Sequence, residues 1–489
     1  MKVLLAIDLG TTGNRVIAFS QKGEVVASSY SEFPQHFPKS GWVEHDPMDI
    51  WNTTKKALGD VVRKVGAGSI AAIGITNQRE TTIIWDRKTG KPVHNAIVWQ
   101  CRRTKDMCAA LARHTATVRR KTGLFIDPYF SATKISWILR NVKGAHRRAL
   151  AGELAFGTVD SWILWNLTGG TVHATEPSNA SRTLCYNIHT LSFDPELLKI
   201  FSVPAAVLPE VRESGAFFGM TDKKATGIEA PIHGILGDQQ ASFFAQGGWE
   251  KGVIKNTYGT GLFLMTLAGE KLKASERLLH TIAWQLNGKT SYAVEGSVFV
   301  GGSCIQWLRD GLRIVSASPE TEPMARTLAS NEGVYFVPAL VGLGAPYWDP
   351  EARGMIIGIT RGTRREHFAR AALEAICYQV RDVYEMMRKV TGQRFSCLRV
   401  DGGAAKNDFL MQFQSDILPL NIERPRVIET TAFGAAGIAG ISSGFWSTKQ
   451  FLSARRVERV FKPLMKVKER EKLYARWKDA VQRSLHWEK

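Results

Sequence analysis

Two short turns built from glycine and hydroxyl residues stand about half the chain apart: Asp8-Leu9-Gly10-Thr11-Thr12-Gly13-Asn14-Arg15 and Asn256-Thr257-Tyr258-Gly259-Thr260-Gly261. Glycine lets backbone approach a ligand closely, consecutive amides form an anion-binding concavity, and threonine hydroxyls add neutral donors for phosphate oxygens. Each turn follows an apolar run, residues 3–7 and 253–254, and leads into another, 16–19 and 262–267. Each therefore reads as strand, turn, strand. Either one alone is most simply an ordinary glycine-bearing hairpin. Their duplication, with an acid heading the first copy, predicts one polyphosphate gripped from opposite sides.

Further residues give that grip a chemistry. Asp8, at a strand end, is a carboxylate suited to holding a hydrated magnesium ion against the β- and γ-phosphates. Arg15 can neutralise charge on a transferring group. Taken singly, Asp8 is a turn aspartate and Arg15 a surface arginine. Asp238 ends a strand over 235–237 and precedes Gln239, Gln240 and an apolar helix over 241–245. A phosphoryl acceptor needs its hydroxyl oriented and its proton taken late, which one carboxylate can do; the competing role is an N-cap. Between two apolar strands lies a dense polar run, Gly74-Ile75-Thr76-Asn77-Gln78-Arg79-Glu80-Thr81-Thr82. Arg79 beside Glu80 offers donors and acceptors together, which suits a small polyol; a surface ion pair is the alternative. Trp99, Tyr129 and Phe263 can supply apolar walls and a hydroxyl. Neither a Gly-x-x-x-x-Gly-Lys-Ser/Thr loop nor a Gly-x-Gly-x-x-Gly between strand and helix occurs, which weighs against P-loop and dinucleotide-binding readings.

The elements that must position these residues follow from pattern. Asp46 reads as an N-cap, with Pro47 first in a helix over 47–65 and Asp49 completing a capping box. Strands are expected over 70–75, 81–85 and 96–99, and helices over 134–141 and 159–168. Gly247-Gly248 is the natural hinge between domains 1–246 and 247–489. In the second half, Thr363 to Glu366 forms a capping box before a long helix stopped by Gly392. A strand over 398–400 opens onto Asp401-Gly402-Gly403, and a helix over 407–418 follows. Gly434, Gly437 and Gly440 read as close packing. Leu473, Trp477, Val481 and Leu485 mark a docking C-terminal helix.

Composition sets the outer limits. A chain of 489 residues with 44% hydrophobic content suits two cores of near-equal size. No apolar run reaches membrane-span length, and the run after Lys2 is broken by Asp8 before a secretory core forms. The expectation is a soluble, cytoplasmic protein without a membrane partner. Six cysteines without Cys-x-x-Cys spacing read as reduced thiols. The net charge of +19 comes from scattered basic residues and not from a stripe interleaved with aromatics, so no nucleic acid partner is expected. Such charge can also draw in a phosphorylated substrate through its field.

Together these segments resemble the FGGY carbohydrate kinases, and within them the branch that phosphorylates glycerol. The likeness runs through Asp8-x-Gly-Thr-Thr, residues 41–47, 73–82, 97–103, 126–131, 237–241, 256–261, 305–310, 342–350 and 400–407. The resemblance implies a two-domain α/β architecture of the actin, Hsp70 and hexokinase (ribonuclease H-like) type, with duplicated mixed sheets and an interdomain cleft. It implies ATP and Mg2+ as cofactors and glycerol as the small-molecule substrate, with a homodimer or homotetramer as the assembly. Thr11, Thr12, Gly13 and Arg15, with Thr260, would meet the phosphates. Gly302, Gln306, Gly403 and Asn407 would surround the nucleoside. Arg79, Glu80, Tyr129, Asp238 and Gln239 would hold glycerol, Trp99 and Phe263 would line its carbon edge, and Asp238 would be the general base. Where relatives carry Gln and a serine pair, this chain has Leu9 and Gly13-Asn14. Residues 221–227 lack the glycine-rich basic loop that some relatives use for fructose 1,6-bisphosphate, so no control by that ligand is expected. The alternatives are a kinase for another polyol or ketose, such as xylulose or ribulose, and an actin-like or chaperone-like ATPase.

Overall fold

A computed structural model describes residues 1–268 and 277–488. The chain divides into two compact units. The first comprises Met1–Ala245, His280–Ala293 and Thr430–Arg455; the second comprises Gln246–Leu279, Val294–Glu429 and Arg456–Lys489.

In the first unit a six-stranded sheet runs in the order Phe217–Met220, Pro231–Gly237, Ile70–Asn77, Val3–Leu9, Gly13–Ser20, Val25–Glu32. Val3–Leu9 pairs antiparallel with Gly13–Ser20 and parallel with Ile70–Asn77, which in turn pairs parallel with Pro231–Gly237. The central strands are apolar on both faces, as parallel strands covered on both sides must be. Register aligns their carboxyl ends. Leu9 lies opposite Asn77, and Gly237 lies opposite Asn77 on the other side. Three parallel strands thus end in one row, and from that row hang the turn at 10–13, the polar run from Gln78, and Asp238. The outer side of such carboxyl ends is where open α/β sheets bind ligands.

Close packing fixes this row. The helix Thr430–Ser442 lies so near the sheet and the helix Asp238–Ala245 that a Cβ on Gly434 would come 1.8 Å from the Ala241 carbonyl. A Cβ on Gly74 would come 2.1 Å from that of Ala435. The glycine stripe is therefore a packing device, as its spacing suggests.

Several local expectations shift by a residue or more. The helix Pro47–Val65 is capped by Asp46 accepting from Met48 N, and Asp49 contributes charge to its first turn and not a reciprocal box. The strand expected over 81–85 is Ile83–Asp86, because the backbone turns tightly at Arg79 to Thr81, and the one expected over 96–99 is Ala96–Ile97, ended by a turn in which Cys101 N donates to Val98 O. The helix expected from 134 begins at Ser131, and the one expected from 241 begins at Asp238 itself.

In the second unit Val253–Tyr258 pairs antiparallel with Leu262–Leu267 and parallel with Cys397–Asp401, followed by Asn421–Pro425 and Val457–Phe461. The long helix Arg365–Thr391 starts one residue beyond the expected box: Arg364 N donates to His367 Nδ1, while Thr363 Oγ1 accepts from Thr360 N. It ends at Gly392, whose φ of 67° a side chain would resist. The C-terminal helix Val467–Ser484 buries Trp477 and Val481 and donates from Tyr474 and Trp477 to the buried Asp382. All six cysteines are free and buried. No described helix is long and apolar enough to cross a membrane.

Candidate active site

The first turn is closed by Gly10 N donating to Gly13 O at 3.1 Å. The polar run braces it from the neighbouring strand. Gln78 N donates to Leu9 O at 2.7 Å, and Gln78 Nε2 donates to Gly10 O at 2.9 Å. Trp99 Nε1 donates to Thr11 Oγ1 at 3.0 Å, and Trp99 N donates to Thr81 Oγ1 at 3.2 Å. A residue expected at the polyol is thereby tied to one expected at the phosphates. Arg15 lies against the Tyr30 ring, 5.2 Å from its centre, and Thr12 Oγ1 is 3.4 Å from the Tyr30 hydroxyl. Asn14 points away from the turn: its buried Nδ2 donates to Ile50 O, Thr53 Oγ1 and Thr54 Oγ1 at 2.8–2.9 Å. That side chain anchors the turn to the helix Pro47–Val65.

Next in the row is a charged cluster. Arg79 Nε lies 3.2 Å from Asp238 Oδ1 and 3.9 Å from Glu80 Oε1. The same guanidinium donates to Gln240 Oε1 at 3.2 Å and to the Tyr129 hydroxyl at 3.5 Å. Gly237 admits it, since a Cβ there would sit 2.8 Å from the Arg79 side chain. Gln239 N donates to Asp238 Oδ1 at 2.7 Å, and the Trp99 and Tyr129 rings meet edge to face at 5.8 Å. The Arg79 and Glu80 side chains are each 2% exposed, whereas Asp238 is 31% exposed. Asp238 is thus the carboxylate that a ligand from solvent can reach, on a scaffold of buried partners. Removing one member of a buried ion pair leaves the other uncompensated, at about 3–5 kcal/mol.

Two residues that sequence reasoning passed over complete the cluster. Arg182 Nε lies 2.5 Å from Glu80 Oε1, and both side chains are buried. Gln240 receives Arg79. The signal for Arg182 was present: Glu176-Pro177-Ser178-Asn179-Ala180-Ser181-Arg182-Thr183 is as dense in polar groups as the run around Arg79. Behind the row, buried Glu176 accepts from Ser178 N, Asn179 N and the Ser178 and Ser214 hydroxyls. Gly237 N donates to Ser178 Oγ at 2.9 Å, and Asn77 and Asn179 exchange amide hydrogen bonds at 3.0 Å. Burial pushes the Glu176 carboxyl up to about 7, against the pull of those donors.

The second unit carries its own turn, closed by Gly259 N donating to Gly261 O at 3.1 Å and one residue shorter than the first. Gly301 N and Ser303 N donate to Thr260 O at 2.8 and 3.2 Å, and Gly302 N donates to Gly259 O at 2.8 Å. The turn is thereby held against the start of the helix Ser303–Asp310, on which Gln306 is exposed. Asn407 caps the helix Asp408–Ile417, accepting from Leu410 N at 2.9 Å. Gly402 adopts φ 86°, and a Cβ there would fall 2.5 Å from Tyr258 O; Gly403 has open space where a side chain would be. Phe263 is half-buried in the strand Leu262–Leu267. The first unit therefore assembles Arg79, Glu80, Trp99, Tyr129, Asp238 and Gln239, while Phe263 belongs to the second.

Among the described residues one group of three metal-ligating side chains converges, Asp349, Glu351 and His486. Asp349 there accepts from Glu351 N, Ala352 N and His486 N. Asp8 is instead a half-buried carboxylate beside the first glycine turn, a ligand type that suits a magnesium ion keeping most of its waters.

Models of the FGGY family of carbohydrate kinases match the chain over residues 3–245 for the N-terminal domain and 254–443 for the C-terminal domain. Glycerol kinase of Aquifex aeolicus is 58% identical over 489 residues, covering 100% of this chain and 99% of that protein. Glycerol kinase of Deinococcus radiodurans is 54% identical, covering 99% of this chain and 98% of that protein. The crystal structure of Plasmodium falciparum glycerol kinase with ADP superposes with a TM-score of 0.93 at 36% identity, covering 99% of this chain and 98% of that one. The chain belongs to the FGGY family of carbohydrate kinases.

Proposed function

We propose that the protein transfers the γ-phosphate of ATP to a terminal hydroxyl of glycerol, giving sn-glycerol 3-phosphate, with Asp238 as general base. The observation that carries this reading is Asp238 itself. It is reachable from solvent, held by Arg79 and by Gln239 N, and it ends the strand row that also bears the phosphate turn. Full-length relatives above 50% identity that are named glycerol kinase support the choice of acceptor.

Arg79 and Glu80 give the acceptor hydroxyls a donor and an acceptor, with Tyr129 and Gln239 beside them; Trp99 and Phe263 face its carbons. As the glycerol oxygen bonds to the γ-phosphorus and the bond to the β-phosphate oxygen breaks, Asp238 takes the hydroxyl proton. Thr11, Thr12, Gly13, Arg15 and Thr260 hold the phosphates, and Gly302, Gln306, Gly403 and Asn407 the nucleoside. Asp8 would hold magnesium, which supplies charge neutralisation on the transferring phosphoryl group. A cytoplasmic homodimer or homotetramer completes the proposal; light scattering reads its mass.

The test is a coupled assay with ATP, magnesium and a panel of glycerol, xylulose, ribulose and no acceptor. ADP release that depends on glycerol, with glycerol 3-phosphate as product, is the expected result. Faster turnover of a ketose would replace the acceptor, and equal ADP release without any acceptor would make the protein an ATPase.

A further inference from the structure

Beside the acceptor pocket the helix Ser131–Asn141 buries Lys134, a charge that the reaction above does not use. Its surroundings centre on one peptide. Glu80 holds φ 62°, a left-handed conformation that residues with long side chains rarely adopt. Its carbonyl oxygen accepts from Ser131 Oγ and Lys134 Nζ, each at 3.0 Å, and from Thr82 Oγ1 at 3.1 Å. Three donors on an oxygen with two lone pairs over-determine a strained residue, which is how such strain persists. Ser131 and Lys134 are three apart on one helix and so reach the same point from a single face.

Lys134 Nζ also donates to Tyr129 O at 2.7 Å. One amine therefore joins the peptide of Glu80 to that of Tyr129, the residues whose side chains flank the proposed acceptor. Arg182 makes a parallel link at the level of the side chains: its Nε meets Glu80 Oε1, and its guanidinium lies 5.5 Å from the centre of the Tyr129 ring. The pocket is thus clamped twice, once through backbone and once through side chains. Burial pushes the Lys134 ammonium down to about 7, while Glu80 pulls it back up. A neutral amine keeps two N–H donors for its two carbonyls, so the link holds in either form.

We propose that Lys134 is a positioning residue: by tying the Glu80 carbonyl to the Tyr129 carbonyl it sets the gap between those side chains, and hence which acceptor fits, without touching the acceptor. This rests on the acceptor reading given above.

Steady-state kinetics of Lys134→Met and Ser131→Ala test it. Lys134→Met is expected to raise the glycerol KM about tenfold or more, with the ATP KM within about twofold and kcat within about threefold, the pattern of lost acceptor binding. Its preference for glycerol over erythritol should fall about fivefold, since a loosened gap stops excluding the longer polyol. Ser131→Ala, which removes one of three donors, should move the glycerol KM the same way by about two- to threefold. Parallel rises in both KM values, or an unchanged glycerol KM, would overturn the proposal. If Lys134→Met does not fold, Ser131→Ala decides alone by the same criterion. Measuring the parent protein first separates the two failures. Turnover of another polyol but not glycerol overturns the acceptor, and the KM split is then read with that polyol; no turnover of any acceptor overturns both.

Discussion

In the first unit Val3–Leu9 is flanked by antiparallel Gly13–Ser20 and parallel Ile70–Asn77; in the second, Val253–Tyr258 is flanked by antiparallel Leu262–Leu267 and parallel Cys397–Asp401. Both place a glycine-threonine turn after the first of these strands. Past the parallel strand the two diverge. Asn77 leads into Gln78, Arg79 and a strained Glu80, locked among buried charges. Asp401 leads into Gly402 and Gly403, where backbone approaches backbone and space stays open. A small polyol offers only hydroxyls, each giving and taking a hydrogen bond, so its site needs fixed donors and acceptors at short range. A nucleoside offers area, and in the proposed function these glycines would make room for it. Under the proposed function, the strand plan common to both units would serve what both need, a cradle of amides for phosphate.

The largest expected effect breaks the first unit's role alone. Asp238→Asn keeps the shape and the contact with Gln239 N but cannot take a proton, so kcat should fall about 10²-fold or more with the glycerol KM little changed. Near-normal kcat in that variant would remove Asp238 from catalysis. A paired experiment then sharpens the contrast between units. Arg79→Ala should raise the glycerol KM by about tenfold or more and leave the ATP KM within about twofold. Gly402→Ala, whose Cβ would fall 2.5 Å from Tyr258 O, should raise the ATP KM by about three- to tenfold and spare glycerol. If either variant shifts both constants equally, the division of labour between units fails.

Much of this was legible in the sequence because the informative residues are local. The duplicated turns, the apolar strands before them and the glycine stripe at 434–440 each announce themselves within ten residues. Arg79 and Asp238 were legible as types, but not their 3.2 Å separation, which depends on the register that sets Gly237 opposite Asn77. Arg182 and Lys134 escaped for the same reason. The polar run at 176–183 marks Arg182 as a candidate, but a long basic side chain usually lies in water, and nothing local says that Arg182 or Lys134 is buried against Glu80, about 100 and 54 residues away in sequence. The helix starts at Asp238 and Arg365 show a smaller version: a side chain that caps or pairs nearby can move a boundary by one to three residues.

The smallest expected effect on turnover comes from the second unit, far along the chain from either turn, at the anchor of the C-terminal helix. Asp382 is buried and accepts from Tyr474 Oη at 2.6 Å and Trp477 Nε1 at 2.8 Å; burial pushes its carboxyl up from the ordinary 3.8 to about 6, against those donors. The folded state therefore binds its proton more tightly than the unfolded chain does. The stability this contributes is fully present below about pH 4 and is lost as pH rises through about 6, beyond which Asp382 adds no further pH dependence. Two pH units correspond to an upper bound on the order of 3 kcal/mol. Asp382→Asn cannot titrate, so its denaturant midpoint should fall less than the parent's between pH 4 and 7, with kcat and both KM values within about twofold. Glu176, raised to about 7 by burial in the first unit, gives a loss of the same sign in both proteins, so the difference between variant and parent isolates Asp382. Equal pH slopes in the two proteins would show that Asp382 stays ionised when buried, and would assign its role to the two donors of the helix alone.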